Sequence, residues 1–387
     1  MSDRQERLWT MGLKKLNAML GTGVLAALAF TGCDEQPVAP AEKSIEPNEP
    51  VGANPIRFRE QALEGTDSVT GERTIRDPQT GETYLLNPNR KLMTAGPSGT
   101  ALSKVGANIR SQVDRSGHLE TRWYECASPT PTNHNTVSCQ VEPGFLVVGG
   151  GAYADYGTGS GALLTESRPL DWNLNTWVAS SKDHMRSCLH TLHVYVIGMR
   201  LKKSDGTYMS DYDLWNYSYM DTKTGSISSY PQSVVTAIYP IVTGGGARTN
   251  WSGAGNLLIR SAYLGSQWAG QGRDLSVVDR TTVTSYIISF KRSIPGVGNF
   301  AVNSISQSVN TPANFVGTAA SSISSGSVLT GLGVDLNPNN LAVPPARFLI
   351  GIRPEFIGGY AFAVGYNKDH VVATPGTMTV QAIGLSL

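Results

Sequence analysis

The sequence predicts an all-β fold built as a pseudo-threefold repeat of four-stranded antiparallel units. Three observations carry that expectation. First, the chain matches itself at a nearly constant offset: "LLTESRP" (Leu163 to Pro169) with "FLIGIRP" (Phe348 to Pro354), "VASSKDH" (Val178 to His184) with "VGYNKDH" (Val364 to His370), and "LHVYVIGMRL" (Leu192 to Leu201) with "MTVQAIGLSL" (Met378 to Leu387). Second, the matched segments are rich in Val, Ile, Thr and aromatic residues and are separated by Gly, Ser, Asn and Asp, which is the composition of strands and turns. Third, no helical period is sustained after the N-terminal apolar run.

Taken in order, the chain opens on residues that are not fold. Lys14 and Lys15 precede the apolar run Ala18 to Phe30, and "TGC" follows, from Thr31 to Cys33. A basic start, a short apolar stretch and small residues before a cut describe a secretory signal over residues 1–32. The run is shorter than the roughly 20 residues of a membrane span. Its ending resembles a bacterial lipobox, with Phe30 where that family prefers Leu. The resemblance implies that Cys33 is lipid-modified and that the protein is anchored in a bacterial cell envelope; an ordinary signal with an incidental cysteine is the alternative. Met1 and Met11 are both possible starts.

Residues 33–55, "CDEQPVAPAEKSIEPNEPVGANP", are dominated by proline and glutamate and read as an extended tether. Residues 56–137 form an N-terminal extension, in which "TIRDPQTGETYLLNP" (Thr74 to Pro88) predicts a hairpin turning at Asp-Pro and Thr-Gly. Beyond Cys33 there are three cysteines. Cys126 and Cys139 bracket a short loop and are the expected disulfide, leaving Cys188 over.

The repeat domain occupies residues 138–387, with copies at about 138–201, 233–294 and 320–387. The middle copy is tied in by "VVGGGAY" (Val147 to Tyr153), which matches "VTGGGAR" (Val242 to Arg248) and "LTGLGVD" (Leu329 to Asp335), and by Trp177 with Trp268 and Tyr195 with Tyr286. Copy one spells strands over Phe145 to Tyr153, Leu163 to Arg168, Thr176 to Ser181 and Leu192 to Leu201. The last strand alternates, placing Ile197 and Met199, Ile288 and Phe290, and Ile383 and Leu385 on one core-facing side. A β-prism and a β-trefoil both accommodate three such units, as do tandem small β modules. The glycine triplets favour a prism, because glycine lets backbones approach closely. "VIGMRL" is similar to a strand of the vitelline-membrane outer-layer and jacalin-type β-prisms, and that resemblance implies the prism as well.

Lys182, Asp183 and His184 recur as Arg273, Asp274 and Leu275, and as Lys368, Asp369 and His370. They fall where the third strand enters a turn, so the aspartates are expected to hold turn N–H groups. Three related polar-ligand sites are the competing reading. Leu275 in the histidine place argues against a metal there, and no metal or cofactor is expected. "GTGSG" (Gly157 to Gly161) lacks the helix that a phosphate loop requires. The chain has 31 basic and 30 acidic residues, so no nucleic-acid footprint is visible. No nucleophile, acid pair or HExxH stands out, and no enzyme is expected.

The junction between copies one and two, "DYDLWNYSYMD" (Asp211 to Asp221), reads as a strand with Trp215, Tyr217 and Tyr219 on one face. Rings beside Asp211, Asp213 and Asn216 suit sugar stacking: an apolar platform with a hydrogen-bonding rim. The expected function is therefore a tethered binding module, for carbohydrate. A structural or assembly role in the envelope, through protein contacts, is the alternative.

Overall fold

The computed structural model describes residues 63–66, 73–76, 83–86, 104–155, 162–170, 174–184, 187–253, 255–274, 277–311, 317–336, 347–369 and 376–387. Cys33, the signal and tether, Gly157 to Gly161, Leu275 and His370 lie outside the described residues.

The protein is all-β and almost wholly antiparallel. β1 (Leu63–Thr66), β2 (Arg73–Arg76) and β3 (Thr83–Leu86) form a small sheet, and β2 with β3 is the hairpin expected over Thr74 to Pro88. β4 (Lys104–Val105) and β5 (Ala107–Val113) lead into β6 (Leu119–Ala127), β7 (His134–Gln140), β8 (Leu146–Asp155), β9 (Leu163–Pro169), β10 (Thr176–Lys182) and β11 (Thr191–Leu201). A short helix, α1 (Asp211–Trp215), precedes β12 (Ser218–Thr224), β13 (Gln232–Thr236), β14 (Ile241–Thr249), β15 (Leu257–Tyr263), β16 (Gln267–Arg273) and β17 (Val283–Phe290). The hairpin β18 (Ser293–Ile294) and β19 (Gly298–Asn299) leads to β20 (Ala301–Thr311), β21 (Gly317–Ser322), β22 (Val328–Asp335), β23 (Arg347–Ile357), β24 (Tyr360–Asp369) and β25 (Gly376–Ser386).

Each copy thus spans six strands rather than four, starting at Leu119, Ser218 and Ala301. The extra pairs, β6–β7, β12–β13 and β20–β21, flank the four expected strands. β12 passes unnoticed in the sequence because it is a sheet edge whose burial is partial.

The three large sheets run β12-β17-β14-β9-β10-β7-β4, β21-β24-β23-β8-β11-β6-β5 and β13-β16-β15-β22-β25-β20. The four strands of a copy therefore do not form one sheet. The first and fourth pair together, the second and third pair together, and the two pairs join different sheets. Every large sheet is a composite of two copies, stitched at Arg248↔Glu166, Ser261↔Val334 and Ile352↔Ala152.

All three copies contribute to one continuous core. Ile197, Met199, Ile288, Phe290, Ile383 and Leu385 are all fully buried. At the centre, β8, β14 and β22 meet backbone to backbone. A Cβ on Gly149 would lie 2.1 Å from Thr330 O, one on Gly331 2.2 Å from Thr243 O, and one on Gly244 2.4 Å from Val148 O. The contacts run in a cycle, so the glycine triplets are required by close packing of the first strands of the three copies. A disulfide joins Cys126 of β6 to Cys139 of β7, as expected, and Cys188 is buried outside that bridge.

Candidate functional site

Two aspartates of the repeated tripeptide, Asp183 and Asp274, hold turns. Asp183 accepts the Cys188 N–H at 2.6 Å. Asp274 accepts from Asn256 N and from Asp279 N, both at 2.9 Å. Asn256 and its counterpart Ala162 share a left-handed conformation, with φ of 56° and 66°. The carboxylates thus brace a strained residue at the start of the second strand. In copy three Arg347 takes that register position opposite Asp369, and the two form a fully buried ion pair at 2.9 Å. Burial pushes the Asp183 carboxyl up to about 6, against the pull of the Cys188 and Ala162 N–H groups.

Lys182 and Lys368 reach into the next copy. Lys182 Nζ donates to Gly253 O at 3.0 Å and Gly255 O at 2.6 Å, and lies 3.8 Å from the Trp251 ring centre. Burial lowers Lys182 to about 7, with Asp279 and Asp274 pulling the other way. Burial likewise lowers Lys368 to about 8, opposed by Cys188 and Asp183 of copy one. Arg273 lies 5.3 Å from the Tyr230 ring centre. His184 is buried.

The fold also brings His190 into the same region. Its Nδ1 lies 2.8 Å from Cys188 O, which can only accept, so the proton of the neutral ring sits on Nδ1. Nε2 then accepts from Ser181 Oγ at 2.7 Å. Both side chains are almost fully buried, and burial lowers the His190 pKa. The arrangement ties β10 to the start of β11.

The strand expected over Asp211 to Asp221 is a helical turn followed by a strand. Ser210 caps α1 by accepting the Asp213 N–H at 3.0 Å, and Asp211 and Asp213 lie in the first turn, where carboxylates suit the helix dipole. Trp215, Tyr217 and Tyr219 therefore do not share a strand face. Trp215 and Tyr217 are half-buried against the core, and Tyr219 packs edge-on to Tyr239 at 6.0 Å. The helical turn instead sets Tyr212 beside Trp215, 6.3 Å apart, with Asp213 and Asn216 exposed next to them.

A second aromatic patch lies on the seam between copies three and one. At the other seams the matching register positions hold charges: Arg248 faces Glu166, and Arg260 pairs with Asp335 at 2.7 Å. Here Tyr153 faces Gly351, and its ring fills the space a Cβ would take. Tyr366 lies 4.8 Å from Tyr153, and the Arg353 guanidinium sits 4.8 Å and 5.1 Å from the two ring centres. Glu355 accepts from Arg353 at 2.7 Å and from Tyr366 OH at 2.6 Å. Beside them Glu125 accepts from Tyr195 OH at 3.2 Å and lies 2.8 Å from His193 Nδ1. Arg353, Glu355, Glu125 and His193 each keep about a quarter to a third of the side chain exposed, between 24% and 30%. The sequence gives no local signal for this patch, because Tyr153 and Tyr366 belong to different copies. Among the described residues no group of three or more His, Cys, Asp or Glu gathers as a metal site. Compared with known proteins, the chain matches no family model and no curated protein sequence.

Proposed function

We propose that the protein is a lipid-anchored module of a bacterial cell envelope that binds carbohydrate on its sheet surface. The anchor rests on the sequence: the apolar run Ala18 to Phe30, Cys33 directly after it, and a Pro/Glu-rich tether behind. The observation that carries the binding reading is the partly buried Tyr153–Tyr366 pair with its Arg353, Glu355 and Glu125 rim. Flat rings cover the apolar face of a sugar, and the charged rim accepts and donates to its hydroxyls. The turn carrying Tyr212 and Trp215 supplies a smaller platform of the same chemistry.

A glycan array tests this. Wild-type protein retains a glycan, Tyr366→Ala loses it, and Trp215→Ala separates the second platform from the first. Retention of no glycan overturns the carbohydrate reading and favours the alternative, an envelope assembly component working through protein contacts. Cys33→Ser tests the anchor separately: the variant leaves the membrane fraction or stalls in processing, and unchanged fractionation overturns it.

A further inference from the structure

The outer edges of the three sheets are not alike. In copy one they are covered by the chain itself, with β5 antiparallel on β6 and β4 parallel on β7. In copies two and three, β12 and β20 hold the place of β6, each bonded to the last strand of its copy and each terminal in its sheet. Exposed edges are ordinarily blunted by charge, bulges or short length. β12 carries Asp221 and Lys223. β13 has five residues and β21 six. β5, itself an outer edge, has a bulge at Asn108/Arg110 and carries Arg110. β20 has none of these guards. Its eleven residues, "AVNSISQSVNT", contain no charge and no proline, and they pair with β25 without a break from Ala301↔Ser386 to Thr311↔Gly376.

The register shows which backbone groups face outward. In β6 the flanking bonds Ser128 N to Leu192 O and Lys202 N to His118 O continue the ladder with β11 through the even-numbered residues. Glu125 and its alternates are left for β5. Glu125 lies opposite Tyr195 as Ser306 lies opposite Gln381, and Tyr195 and Gln381 are matched positions of the repeat. Ser304, Ser306 and Ser308 therefore turn their N–H and C=O groups to the open side, and all three are exposed.

We propose that β20 is a self-association edge. Two copies of the chain pair β20 with β20, antiparallel about a twofold axis near Ser306, and join two six-stranded sheets into one. A second copy suits this edge because twofold pairing sets residues near the axis opposite themselves. Around that axis Ser306 meets itself and Ser304 meets Ser308, uncharged side chains that exchange hydrogen bonds. At the matching corner of copy one an added strand, β5, is seated on β6 in this way.

Analytical ultracentrifugation of the full chain over a concentration series tests the pairing. The expected result is a monomer–dimer equilibrium for wild type. Ser306→Pro removes an outward donor but spares the β25 ladder, so it gives monomer with an unchanged melt. Ser306→Lys, which opposes like charges across the axis, weakens the dimer at least tenfold at low salt. Ser306→Cys gives, on oxidation, a cross-link mapping to position 306 in both chains. A wild type that stays monomeric throughout overturns the proposal, as does a dimer of unchanged strength in Ser306→Lys. Should Ser306→Pro fail to fold, Ser306→Lys decides alone.

Discussion

Lys182 of the first copy donates to the carbonyl of Gly255 in the second at 2.6 Å, so a buried ammonium clamps the turn that leads into the neighbouring copy's second strand. Gly253 O completes the clamp, and Asp274 and Asp279 lie close enough to favour the charge. Burial still wins and lowers the group to about 7. The unfolded chain therefore binds more protons than the folded one between about pH 7 and the ordinary lysine value of 10.5. Stability contributed by this group rises with pH across that window, and the cost of burying the charge is fully present below it. Lys368, lowered to about 8, acts with the same sign. Thermal melts from pH 7 to 10 should show a shallower rise in Tm for Lys182→Met than for wild type; parallel curves would refute the assignment.

The repeated aspartates Asp183 and Asp369 should differ in cost. Asp183→Ala leaves the Cys188 N–H without its acceptor, a loss of about 1–3 kcal/mol. Asp369→Ala removes the carboxylate that pairs with the fully buried Arg347 and should cost about 3–5 kcal/mol. Urea denaturation of both variants measures the order, and an Asp369→Ala protein as stable as Asp183→Ala would contradict it.

Gly244→Ala should be among the more damaging single-methyl additions in the chain. The new Cβ would meet Val148 O at 2.4 Å, and a strand carbonyl on the axis cannot swing aside as a side chain would. Overpacking of this kind costs about 1–3 kcal/mol. A melt indistinguishable from wild type would mean that the three central strands have slack.

The Cys126–Cys139 bridge closes a short loop, with a sequence separation of 13, and ties β6 to β7. Replacing both residues by serine should lower stability by about 3 kcal/mol in the chain-entropy account. Guanidinium titrations of the oxidised wild type and the double variant provide the comparison.

Much of this architecture was legible before any coordinate was known. The all-β class, the hairpin after Thr74, the disulfide, the buried alternation of Ile197 and Met199 and the turn-holding aspartates all rest on local chemistry: side-chain period, turn propensity and short loops. A glycine triplet likewise announces close approach. What it approaches is not local. The tertiary structure alone decided that the paired strands of one copy separate into two sheets, because pairing partners are chosen by nonlocal packing and leave no mark on a strand's own sequence. It alone set Tyr153 against Tyr366 and sent Lys182 into the next copy. Asp211 to Trp215 folded as a capped helical turn, in which Ser210 and Asp211 accept backbone N–H groups that a strand would have left to a neighbour. Alternating residue types name a face; only the folded chain determines what that face meets.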